Sequence, residues 1–114
     1  LITERMKTVK LALTLIAMLT APPVNALQPE DDKYCAKQGY MAEMIMRARQ
    51  VGVPMSDVRD IFSGDLERDL IYDIIELAYL EPTFLAEENQ HRATMNFRNY
   101  VEGICFRAEK ASKG

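Results

Sequence analysis

Only three places in residues 34–109 stop a helix, and they divide that stretch into four helical runs. Gly52 with Pro54 is the first: glycine readily takes the left-handed position that closes a helix, and proline after it cannot continue one. Ser63-Gly64 is the second and Glu81-Pro82 the third. No run alternates apolar and polar residues as a strand would, and no segment repeats. The spacing predicts helices over 34–51, 54–62, 65–80 and 83–109, with Asp65 as an N-cap. That is an all-α domain, a small four-helix bundle of three main helices and one short one.

The chain ahead of these helices has a different character. From Met6, Lys7 and Lys10 form a charged start, Leu11 to Leu19 an apolar run, and Pro22-Pro23 a break. Val24-Asn25-Ala26 then supplies small residues at the −3 and −1 positions of a cleavage site. This is the pattern of a secretory signal peptide cut after Ala26. The apolar run is shorter than the roughly 20 residues of a membrane-spanning helix. Leu27, not cysteine, would follow the cut, which argues against a lipid anchor. The expected organisation is an upstream extension (1–5), a signal peptide (6–26), a polar leader (27–33), a helical domain (34–110) and a tail (111–114). The expected destination is the periplasm or the extracellular medium.

Residues 27–114 hold eleven basic and sixteen acidic residues, a net charge of −5 against −3 for the whole chain. An acidic domain without a basic cluster argues against nucleic acid and anionic lipid as partners. At 48% hydrophobic and 27% charged residues the composition is that of a globular protein. Eighty-eight residues still make a small core, which often needs a staple. Cys35 and Cys105 can provide one. They lie 70 positions apart, at bundle ends that meet in an up-down-up-down arrangement, and exported cysteines normally pair.

Helical phase sorts the faces. Leu66, Leu70, Ile71, Ile74, Ile75, Leu77 and Ala78 cover half the circumference of the third helix, which predicts that this helix is the centre of the bundle. In the fourth helix Ala86, Ala93, Phe97, Tyr100, Val101, Ile104 and Ala108 form the expected core face, with Cys105 at its edge. Glu88, His91, Arg92, Asn99 and Glu102 form the opposite one.

Few chemical motifs occur. One His and two Cys exclude a four-ligand Cys/His zinc site within one chain. A glycine-rich phosphate loop, a nucleophile elbow and an HExxH motif are all missing, so the chain reads as no enzyme and as needing no cofactor. Met41, Met44 and Met46, with Met55 and Met95, raise the alternative of a periplasmic copper-type site using Met and His, because thioethers suit Cu(I). Met46 points more than a third of a turn from Met41 and Met44, and core packing accounts for such residues as well. Glu88 and His91 have the Glu-x-x-His spacing of di-iron bundles, but the chain has one such motif where two are needed. Asp69, Asp73 and Glu76 share a stripe that could hold a cation or pair with Arg47, Arg49, Arg92 or Arg98; a salt-bridged surface is the simpler account. Phe84, Met95 and Phe106, eleven residues apart, fall within about 40° of one another on the polar face of the fourth helix. They form a candidate interaction surface.

Tyr34-Cys35, Arg49-Gln50-x-Gly52-Val53 with Ser56, Ala78-Tyr79-x-x-Pro82 and the late Cys105 together resemble a class of short exported helical proteins of proteobacteria and their prophages. The resemblance spans nearly all of the mature chain and implies periplasmic residence without a specific activity. The small acid-stress chaperones of the periplasm share size, export, helicity and a single disulfide, but none of their motifs occurs here. The expectation is an exported helical protein that acts by binding a protein partner or a second copy, with no stable membrane insertion after cleavage.

Overall fold

The computed structural model describes residues 29–113. The signal-like segment 6–26 lies outside the described residues. Four helices follow one another: α1 (Pro29–Gln50), α2 (Met55–Ile61), α3 (Arg68–Leu80) and α4 (Glu87–Lys113), with no strand among the described residues. The predicted all-α, four-helix architecture is the one observed.

Their ends differ from expectation by a few residues. α1 starts at Pro29, inside the expected leader, since a proline is tolerated in a first helical turn. α4 runs to Lys113, through most of the expected tail. α3 starts at Arg68 rather than at residue 65: the Asp65 Oδ1 accepts the Glu67 N–H at 2.8 Å and so shapes the turn ahead of the helix. Gly52 does close α1 as predicted. Its φ is +87°, and the Val53 and Gly52 N–H groups reach back to the carbonyls of Ala48 (3.0 Å) and Arg49 (3.1 Å). This is the paired 6→1 and 5→2 bonding of a Schellman motif.

The centre of the bundle is α1, not the third helix. α1 packs against α2, α3 and most extensively α4, whereas α3 and α4 share hardly any contact. The core joins Ala42, Ile45 and Met46 of α1 to Val58 of α2, to Ile71, Ile74, Ile75 and Ala78 of α3, and to Phe97 and Val101 of α4. Leu66, Leu70 and Leu77, which would have been buried in a central α3, remain on the surface.

Small residues explain why α1 takes the central place. Gly39 is buried, and a Cβ there would run into the Glu102 side chain, so the missing side chain lets α4 lie close. The contacts Cys35 to Cys105, Gly39 to Glu102 and Glu43 to Arg98 climb α1 while descending α4, the register of an antiparallel pair. Cys35 and Cys105 are bonded to each other, with Cα atoms 5.5 Å apart.

One charged network crosses this seam. The buried Glu43 carboxylate receives Arg47 at 2.7 Å and Arg98 at 2.7 Å, and Arg98 also reaches Glu102 at 2.9 Å. The hydrogen bond from Arg98 is the main reason that the Glu43 carboxyl titrates below its ordinary range. Among the described residues no buried side-chain nitrogen or oxygen lacks a partner.

Candidate functional site

Because α3 and α4 both lean on α1 and not on each other, a groove of about 590 Å³ stays open between them. Its walls follow from helical phase. The buried stripe of α4 is Thr94, Phe97, Val101 and Cys105, which turns Ala93, Tyr100 and Ile104 onto the flank that looks toward α3. The buried stripe of α3 is Ile71, Ile74, Ile75 and Ala78, which turns Leu70 and Leu77 onto the flank toward α4; Leu80, in the last turn, lines the groove as well. Tyr100 and Ile104 were expected in the core; they are 53% and 41% exposed, and Leu80 is 81% exposed. The face of α4 that packs is rotated from the expected one because it has one helix to cover instead of two.

Leu77, Leu80, Phe84, Ala93, Phe97 and Tyr100 give the groove an apolar interior. Glu81 and Arg92, of opposite charge, and the amides of Asn89 and Asn96 complete its lining. Such a site offers apolar area with a few polar groups to set orientation.

One end of the groove is held by side chains from the end of α1. Gln50, buried, donates from Nε2 to the Pro82 carbonyl (2.8 Å) and accepts the Phe84 N–H at Oε1 (2.9 Å). Arg49 donates from Nε to the Glu81 carbonyl at 3.1 Å and lies over the Tyr79 ring at 5.2 Å. Tyr79 donates its hydroxyl to the Val53 carbonyl at 2.6 Å; burial pushes its phenol pKa up. Gln90 donates from Nε2 to the Phe84 carbonyl at 2.7 Å. The connection 81–86 is therefore bonded into place, and Phe84 is fixed through both its N–H and its carbonyl. Arg49-Gln50-x-Gly52-Val53 and Ala78-Tyr79-x-x-Pro82, far apart in sequence, meet here as one structure.

Phe84, Met95 and Phe106 do not form a row. Phe84 precedes α4, so helical spacing does not apply to it, and it lines the groove. Met95 and Phe106 are half-buried and lie on the other border of the α4 packing face, away from Tyr100 and Ile104. The groove residues Leu77, Leu80 and Tyr100 were missed as surface. The half-circle of leucines and isoleucines on α3, wider than one partner helix can cover, was the signal that could have found them.

The methionines are dispersed as helical phase requires. Met46 is fully buried, Met41 and Met55 are half-buried against the core, and Met44 is exposed. His91 and Glu88 are exposed, and Glu88 pairs with Arg92 at 3.3 Å. The acidic stripe of α3 meets other arginines than those expected: Arg59 lies 3.7 Å from Glu76 and Arg68 lies 3.7 Å from Asp69. Among the described residues no three His, Cys, Asp or Glu side chains are grouped to hold a metal ion, and no helix is long and apolar enough to cross a membrane. Comparison with known protein families, with curated proteins and with solved structures finds no match.

Proposed function

We propose that this protein is an exported, periplasmic binding protein that holds the apolar face of another protein chain in the groove between α3 and α4, and that it acts by binding rather than by catalysis. The observation that carries the reading is the groove itself: a concave apolar interior built by Leu77, Leu80, Phe84, Phe97 and Tyr100. Apolar side chains gathered in a concave surface keep contact with water that a partner would remove, at about 25 cal/mol per Å². Export is supported by the signal-like segment 6–26 and by the Cys35–Cys105 disulfide, which belongs in an oxidising compartment. The resemblance to small exported helical proteins of proteobacteria points the same way.

Photo-crosslinking tests the reading. A benzophenone amino acid at Leu80 is expected to give adducts in the periplasmic fraction of expressing cells, and the same group at exposed Ser56 on α2 is not. Equal yields at the two positions would overturn the assignment of the groove.

A further inference from the structure

We propose that the occupant of the groove is a second copy of this chain, in a two-fold dimer that sets α3 of each copy against α4 of the other; the proposal rests on the groove being the docking surface.

Size is the first argument. Leu70, Leu77, Leu80, Phe84, Tyr100 and Ile104 are 36%, 37%, 81%, 37%, 53% and 41% exposed. These fractions leave about 500 Å² of apolar side chain open on each copy, taking 150–250 Å² for a whole aromatic residue and somewhat less for a leucine. Buried on both copies this makes about 1,000 Å², the lower limit for a specific interface, as befits a weak dimer.

Self-complementarity is the second. A two-fold interface brings the same patch of both copies together, so a charge on it must meet its opposite on that same patch. The groove carries one of each sign, Glu81 at the end of α3 and Arg92 in the first turns of α4.

The levels of these residues agree with such an axis. α3 runs parallel to α1, since Tyr34 bonds Glu67 near one end and Arg49 stacks on Tyr79 near the other. α4 runs antiparallel to α1, since Cys35 bonds Cys105 and Glu43 bonds Arg98. Leu80 and Glu81 are thus level with Arg92 and Ala93, Leu77 with Phe97, and Leu70 with Ile104. A two-fold axis along the groove preserves these levels. It places Leu77 opposite Phe97 and Glu81 opposite Arg92 twice over, and the two helix pairs close into a four-helix layer with antiparallel neighbours.

Sedimentation equilibrium of the exported protein, with its disulfide formed, is the test. The expected result is a reversible monomer–dimer equilibrium with a micromolar dissociation constant. Leu80→Glu should weaken it at least tenfold without changing the melting temperature of the protein diluted to monomer, since Leu80 lies outside the core. Glu81→Arg and Arg92→Glu should each weaken it about threefold to tenfold, and the double exchange should restore it. Binding of the apolar dye anilinonaphthalene sulfonate, measured on the same samples, separates the two claims. A monomer at every concentration that binds the dye, and loses it in Leu80→Glu, overturns the dimer and leaves the groove as a site for another chain. A monomer that binds no dye overturns both. A dimer that survives Leu80→Glu, or charge reversals that the double exchange does not repair, overturns the proposed geometry.

Discussion

Gln50 holds the groove in shape, and its removal has a calculable cost. Gln50→Ala deletes the bond from Nε2 to the Pro82 carbonyl (2.8 Å) and the bond from the Phe84 N–H to Oε1 (2.9 Å). Each contributes a net stabilisation of about 0.5–1.5 kcal/mol, and both backbone groups left behind are only partly reached by water. The expected loss is about 2–3 kcal/mol in urea unfolding followed by circular dichroism, with the slope unchanged. Phe84 loses its anchor as well, so dye binding in the groove should fall. Gln50→Glu refines the reasoning. The introduced carboxylate still accepts from Phe84, but its other oxygen faces the Pro82 carbonyl until a proton makes it a donor. Its folded-state pKa is therefore raised above the unfolded value of about 4.3. A raised pKa gives stability that is complete below the unfolded value and is lost as pH rises through the folded one. This variant should thus approach the stability of the parent near pH 4 and fall well short of it at pH 7. A loss under about 0.5 kcal/mol for Gln50→Ala, or a Gln50→Glu variant whose deficit is the same at both pH values, would refute the account.

Replacing Cys35 and Cys105 together by Ser should cost about 4 kcal/mol for a loop spanning 70 positions, measured by urea unfolding. Ile75→Ala, in the fully buried core, should cost about 3–4 kcal/mol, whereas Leu66→Ala in the exposed turn ahead of the same helix should stay within about 0.5 kcal/mol. Glu43 titrates below its ordinary value of 4.5, chiefly through the bond from Arg98, so the stability it confers is present above that value and lost as pH falls through the lower one. Glu43→Gln should therefore flatten the acid limb of a plot of melting temperature against pH. Intact-mass measurement of the exported protein should place its first residue at Leu27; a start elsewhere would count against cleavage after Ala26.

The helices were legible because their ends are local. Gly52, Ser63-Gly64 and Glu81-Pro82 act through backbone conformation, which neighbours in sequence largely decide. The pairing of Cys35 with Cys105 was legible from the up-down order of those helices, and the structure contains it. Which helix is central was not legible. Apolar width favoured α3, but packing favoured α1, where Gly39 and Ala42 allow close approach and where Glu43 is satisfied by arginines from its own helix and from α4. A wide apolar face can mean two partners inside the chain or one inside and one outside. Leu77 and Leu80 stay on the surface of this chain, and phase alone does not separate the two cases. The row through Phe84 failed for another reason. Its register assumed a helix from residue 83, and α4 starts at Glu87 because the 81–86 backbone bonds to Gln50, Arg49 and Gln90 instead of to itself. Side-chain reach of this kind spans more than thirty positions and has no local signature.

The claim that two copies of this chain meet through the face between α3 and α4 is tested most directly by amide NMR spectra recorded over a dilution series. The account predicts concentration-dependent shifts at Leu77, Leu80, Glu81, Phe84, Arg92, Asn96 and Tyr100, all following one dissociation constant, with Ser56, Val58 and Asp60 of α2 unmoved. Spectra that do not change with concentration, or changes centred on Met95 and Phe106 across the helix, would contradict it.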